Sequence, residues 1–92
     1  MNLRVEKNSR EQLMSVSAYC YAADSGMSWA VETQEDVIDA AVYAVNARYG
    51  YDDGSFDVDV PPKKPITVQV DCFGNTYSVT FCTNGDYSIE VN

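Results

Sequence analysis

LMSVSAYCYA, residues 13–22, can be read at two periods, and the choice between them decides the fold. At helical spacing Leu13, Val16, Cys20 and Ala23 fall along one side. Just upstream, Ser9-Arg10-Glu11-Gln12 has the form of a capping box, in which a serine oxygen and a side chain three residues on satisfy each other's backbone N–H groups. Asp24-Ser25-Gly26 supplies a stop, so the expected element is a helix running to about Ala23. The second period is two. Met14, Val16, Ala18, Cys20 and Ala22 alternate with Ser15, Ser17, Tyr19 and Tyr21, the pattern of a half-buried strand. The helix is the expectation taken forward, with the strand as its alternative.

Before this stretch, Leu3 and Val5 alternate with Arg4 and Glu6, which fits a short first strand. After it, Met27, Trp29 and Val31 alternate with Ser28 and Ala30 as an extended piece, and Thr33 then caps a helix expected from about Gln34 to Arg48. Gly50 ends that helix. At about 100° per residue, Val37, Ile38, Ala41, Val42, Ala44 and Val45 form one apolar arc, and Glu35, Asp36, Asp39, Tyr43 and Asn46 gather opposite. Residues 51–65 read as an acidic loop carrying Asp52, Asp53, Asp57 and Asp59, followed by the extended connector Pro61-Pro62-Lys63-Lys64-Pro65. Phe56, Val58 and Val60 alternate within the loop, as a short edge strand does.

The C-terminal third alternates three times: Ile66, Val68, Val70 and Cys72, then Tyr77, Val79 and Phe81, then Tyr87, Ile89 and Val91. A Gly74-Asn75 turn pairs Cys72 with Tyr77, Val70 with Val79 and Val68 with Phe81, keeping one face apolar. For the next hairpin, a three-residue loop, Thr83-Asn84-Gly85, pairs Phe81 with Tyr87 and Val79 with Ile89, with Gly85 left-handed at a bulge. Cys82 then faces away from Cys72, so the two form no disulfide. The expected fold is one α+β domain over residues 1–92, with two helices packed on one face of an antiparallel sheet that ends in a C-terminal three-stranded meander.

Composition narrows the function. Fourteen Asp and Glu against six Lys and Arg, with no histidine, give a net charge of −8 over 92 residues. Such a surface repels a phosphate backbone, so direct binding to nucleic acid is not expected, whereas a basic protein is attracted. A hydrophobic content of 46% and seven tyrosines set the chain apart from disordered acidic tails. No apolar run reaches the ~20 residues of a membrane span, and the N-terminus lacks a signal-peptide layout, so no membrane contact and a cytoplasmic location are expected. Cys20, Cys72 and Cys82 show neither a redox nor a zinc spacing and are expected to be reduced. The loop acids lack the frame of a calcium loop. With no histidine base, no phosphate-binding glycine loop and no nucleophile motif, the expectation is a protein that is no enzyme and takes no metal or cofactor.

The candidate partner-binding residues are acids interleaved with aromatics: Glu35, Asp36, Asp39 and Tyr43 on the second helix, and Tyr49, Tyr51, Asp52, Asp53, Asp57 and Asp59 beyond it. Tyr43 stands one turn past Asp39 on the exposed side, where neither capping nor core packing asks for an aromatic, and tyrosine is frequent at binding hot spots. Gathered on one side, these groups compete with nucleic acid for a basic groove. In size, acidity, mixed fold and lack of catalytic parts, the chain resembles the small acidic proteins phages carry against host defence, anti-CRISPR and anti-restriction proteins among them, and nuclease-toxin immunity proteins. No motif carries the resemblance, and no functional residue comes with it. It implies an inhibitor that mimics nucleic acid and blocks a basic nucleic-acid-binding site on an effector or nuclease. The other reading is a small cytosolic accessory domain that docks on another subunit by a sheet edge or helix face. Sequence leaves the oligomeric state open.

Overall fold

The structure, a computed structural model, describes residues 12–50 and 54–92. The described residues form one helix and six strands: β1 (Met14–Cys20), β2 (Ser25–Val31), α1 (Gln34–Tyr49), β3 (Gly54–Val60), β4 (Ile66–Cys72), β5 (Asn75–Phe81) and β6 (Tyr87–Val91). The strands form two antiparallel sheets, ordered β2-β1-β3 and β4-β5-β6. The class is α+β, but the expectation of two helices on one sheet is overturned.

The correction lies in residues 13–22. Period two wins there: Met14 and Val16 are buried, the serines between and after them are half-exposed, and β1 pairs with both β2 and β3. The reason is composition. Serine, valine, tyrosine and cysteine are all weak helix formers, and serine diverts backbone hydrogen bonds to its own hydroxyl. Asp24, at φ 52, takes the left-handed conformation that lets Tyr21–Asp24 turn the chain into β2. Of the expected cap Ser9–Gln12, residues 9–11 lie outside the described residues, as does the strand at Leu3–Val5, while Gln12 precedes β1 and its side-chain amide donates to the Ser15 hydroxyl at 2.6 Å.

Helix α1 agrees with its signals. Thr33 Oγ1 accepts from the Asp36 N–H at 3.1 Å, while the Asp36 carboxylate accepts from the N–H groups of Thr33 and Glu32 at 3.1 and 3.0 Å. Gly50 stops the helix because of space and not because of a left-handed turn. Its φ is −72, and a Cβ there would stand 2.4 Å from the Asn46 carbonyl oxygen to which its N–H donates. Within the stretch expected to be an acidic loop, Phe56 and Val58 face inward on a full seven-residue strand, β3.

In the second sheet, the β5–β6 register has Phe81 opposite Tyr87 and Val79 opposite Ile89, with Gly85 at φ 94. The β4–β5 register differs by two residues from expectation: Cys72 pairs with Asn75 and Val70 with Tyr77. Phe73 (φ 53) and Gly74 (φ 79) form the two-residue turn, which twists as its strands do, and a shift of two leaves every side chain on its expected face.

Each sheet has one apolar face, and α1 packs against strands of both. Three of its five buried positions are alanine, namely Ala40, Ala41 and Ala44, which allows close approach on both sides. Beside the helix the sheets meet directly. The Phe56 ring lies 6.1 Å from Phe81 and edge-on at 5.4 Å to Tyr87. Residues 61–65 carry the chain from one sheet to the other.

Because Phe81 is fully buried where the sheets meet, Phe81→Ala should cost about 3–5 kcal/mol. Far-UV and near-UV circular dichroism should follow one shifted urea transition. Two separate transitions would mean that the sheets do not share a core.

Candidate interaction surface

The expected partner-binding residues do not fall on one face. Asp36 is committed to the cap of α1 and half-buried. Glu35, Asp39 and Tyr43 follow at four-residue spacing along the exposed side of the helix. Tyr43 is 40% exposed, with its ring tilted against Trp29 of β2 at 5.2 Å between centroids. Its position therefore has a packing role as well as an exposed edge. Tyr49 stacks on Tyr77 at 5.3 Å, toward the second sheet.

Asp57 and Asp59 lie elsewhere. Phe56 and Val58 take the face of β3 toward α1, which sends Asp57 to the opposite, outer face, across from Ser17. Asp59 is the extra residue of a bulge, since Val58 pairs with Val16 but Val60 with Ser15, and its carboxylate accepts from the Ser17 hydroxyl at 3.3 Å. The sheet thus separates these acids from those of the helix. Asp71 and Glu90 project from the outer face of the second sheet, beside Thr76 and opposite Ser78. Tyr51, Asp52 and Asp53 lie outside the described residues. Of the cations, Arg48 sits over the Tyr87 ring at 5.9 Å, and Lys63 and Lys64 lie in the connector after β3. Among the described residues, no three potential metal-ligating groups converge.

A feature that sequence reading missed adjoins Tyr43. A cleft of about 620 Å³ opens between the β1–β2 hairpin, the second half of α1, the start of β3 and the β4–β5 turn. Its walls include Ala18, Cys20, Met27, Val42, Tyr43 and Phe73. Met27 is 49% exposed, although it shares the inward face of β2 with Trp29 and Val31. The alternation of Met27, Trp29 and Val31 places them on one face, but nothing in the sequence says that the cover stops short of Met27. Two glycines let β2 and β3 approach β1 closely at this end: a Cβ at Gly54 of β3 would stand 2.8 Å from the Tyr19 carbonyl oxygen, and one at Gly26 of β2 2.7 Å from the Tyr19 ring.

At the hairpin turn the Tyr19 hydroxyl donates to the Asp24 carboxylate. That hydrogen bond chiefly, with burial and the neighbouring Tyr21 and Cys20 adding to it, holds the Tyr19 phenol above its ordinary value. A phenol raised in the folded state supports the turn below the ordinary tyrosine pKa and loses that support as pH rises through the raised value. Tyrosine ring-carbon NMR should show Tyr19 titrating above the ordinary tyrosine value, and Asp24→Asn should return it toward that value. Cys72, on the inward face of β4, has its thiol pushed up by burial and then by Asp71.

The split among the helix acids is testable by stability. Asp36→Ala should cost about 0.5–2 kcal/mol through loss of the cap, while Asp39→Ala should stay within about 0.5 kcal/mol. Equal costs in urea denaturation would contradict the division of roles. Compared with known proteins, the chain matches no family model, no curated protein and no solved structure.

Proposed function

We propose that this chain is a non-enzymatic binding protein that seats on a basic, nucleic-acid-handling surface of a partner protein, such as a defence effector or nuclease, and inhibits it by keeping nucleic acid away. The reading places it in the cytoplasm. Among the described residues no helix is long and apolar enough to cross a membrane, which is compatible with that address.

The observation that carries the proposal is the exposed side of α1, where Glu35 and Asp39 lead to a tyrosine already held in place by Trp29. An aromatic fixed before binding loses little rotamer entropy on contact, as a hot-spot anchor requires. The flanking carboxylates suit a cationic rim around that anchor, and the net charge of −8 draws a basic partner from a distance. Since the outer-face acids Asp57, Asp59, Asp71 and Glu90 point in other directions, their part is in the long-range field and not in the contact.

Pull-down from nuclease-treated lysate should capture a basic nucleic-acid-binding protein, and the purified pair should weaken as salt rises. Glu35→Lys with Asp39→Lys should slow association by about tenfold or more, and Tyr43→Ala should speed dissociation by about thirtyfold. Nucleic-acid binding by the captured protein should fall as the chain is added. Salt-insensitive capture that leaves nucleic-acid binding intact would favour the accessory-domain reading instead.

A further inference from the structure

Among the described residues, the four sheet edges are not protected alike. β3 carries Asp57, the bulge at Asp59 and then Pro61, and β4 follows Pro65 and carries Asp71. β6 is five residues long and carries Glu90. Charge, proline, bulges and short length are the usual devices that stop an edge from recruiting another strand. β2 has none of them. It runs seven residues, Ser-Gly-Met-Ser-Trp-Ala-Val, without a charge in a chain of net charge −8, and most of its residues are exposed. β1 pairs with one side of it, and among the described residues no strand pairs with the other.

Beside that free edge, on the inward side of the sheet, Trp29 meets Tyr43, and Met27 stands at the cleft. One and two turns back along α1 from Tyr43 come Asp39 and Glu35, toward the end of the molecule where β2 runs through Glu32 and Thr33 into the helix. The surroundings of β2 are thus apolar near Met27 and anionic near Val31. A second copy of the chain paired here would bring net charge −8 against −8. A cationic segment meets opposite charge.

Resting on the reading of a basic partner, we infer that the open edge of β2 takes up an extended, cation-bearing segment of that partner as a fourth, antiparallel strand of the first sheet. Its backbone hydrogen-bonds to the unpaired side of β2. Alternate side chains face inward, with lysine or arginine beside Asp39 and Glu35 and apolar residues beside Tyr43 and Met27. The intervening side chains lie with Ser28 and Ala30 on the outer face.

The probe is a labelled synthetic peptide about as long as β2, with threonine at alternate positions and lysine, arginine, leucine and valine in that order between them. Three controls accompany it: a version with glutamate for both cations, and two versions N-methylated on one or the other alternate set of backbone amides. Fluorescence anisotropy should show binding to the intact chain. Methylating the amides that face β2 should weaken it by about tenfold or more, and methylating the other set should leave it nearly unchanged. The glutamate peptide and the Asp39→Lys chain should each lose about tenfold.

If both methylated peptides bind as the parent does while the glutamate peptide fails, strand addition is overturned and the basic-partner reading stands. If the methylation pattern holds but the glutamate peptide binds equally well, the edge accepts strands and the charge reading fails. No binding at millimolar peptide, or a dimer in sedimentation equilibrium that a charged substitution, Ala30→Lys, abolishes, would overturn the proposal.

Discussion

One helix has to cover two apolar sheet faces. A sheet with one hydrophobic face has to bury it against another element, and α1 is the only helix among the described residues to close either of them. The packing follows from that shortage. Alanines at positions 40, 41 and 44 bring both sheets close to the helix, and where the helix does not reach, Phe56, Phe81 and Tyr87 join one sheet to the other. The cover favours β3 and β4, so within the first sheet the far strand, β2, receives least. Met27 remains half-exposed, and Trp29 is covered in part by Tyr43 alone among the ring contacts of the helix. The cleft and the open edge are thus consequences of the same shortage that fixes the core.

Surface charge is divided by the same geometry. Both sheets turn their inward faces to the helix, so the strand acids project from two separate outer faces, away from the helix acids. A chain can therefore hold a large negative charge without collecting it into one array. Long-range attraction depends on the sum, whereas contact depends on the few groups around a desolvated anchor. Asp36 illustrates the difference. It contributes its charge to the sum while its Oδ2 accepts two backbone N–H groups of the cap.

Where local chemistry was decisive, the sequence was legible. The Thr33 cap with Asp36 three residues on, the apolar arc of α1 and the alternation of the last three strands identify elements without tertiary help. The β5–β6 register follows because, between a two-residue loop at Asn84-Gly85 and a three-residue one from Thr83, only the longer keeps both apolar sets on one face. Residues 13–22 were not legible in the same way, since apolar groups at 13, 16, 20 and 23 satisfy one period and those at 14, 16, 18 and 20 another. Pairing with β2 and β3 on both sides settles the matter, and that is information about partners distant in sequence. The β4–β5 register escaped for a narrower reason. Phenylalanine rarely takes a positive φ, so Phe73 gave no turn signal, and a slip of two preserves the faces by which a register is judged.

For the surface, helical phase alone was enough to single out Tyr43 with Glu35 and Asp39, because exposure on a helix follows from angle. It could not place Asp57 and Asp59 relative to that side, which required knowing which face of β3 meets the helix. Met27–Val31 was legible as an extended piece, and β2 forms there, but its open edge went unnoticed because the signal is a deficit. Residues 25–31 are seven consecutive positions with no charge in a chain where charged residues make up 22%. In a buried strand such a run needs no account. On an edge it removes the electrostatic and steric barriers that keep backbone donors and acceptors from finding others, and it does so on the strand of the first sheet that the helix covers least. An edge of that kind is either a liability or a binding element. Tyr43, Met27 and the acids of α1 standing beside it favour the second.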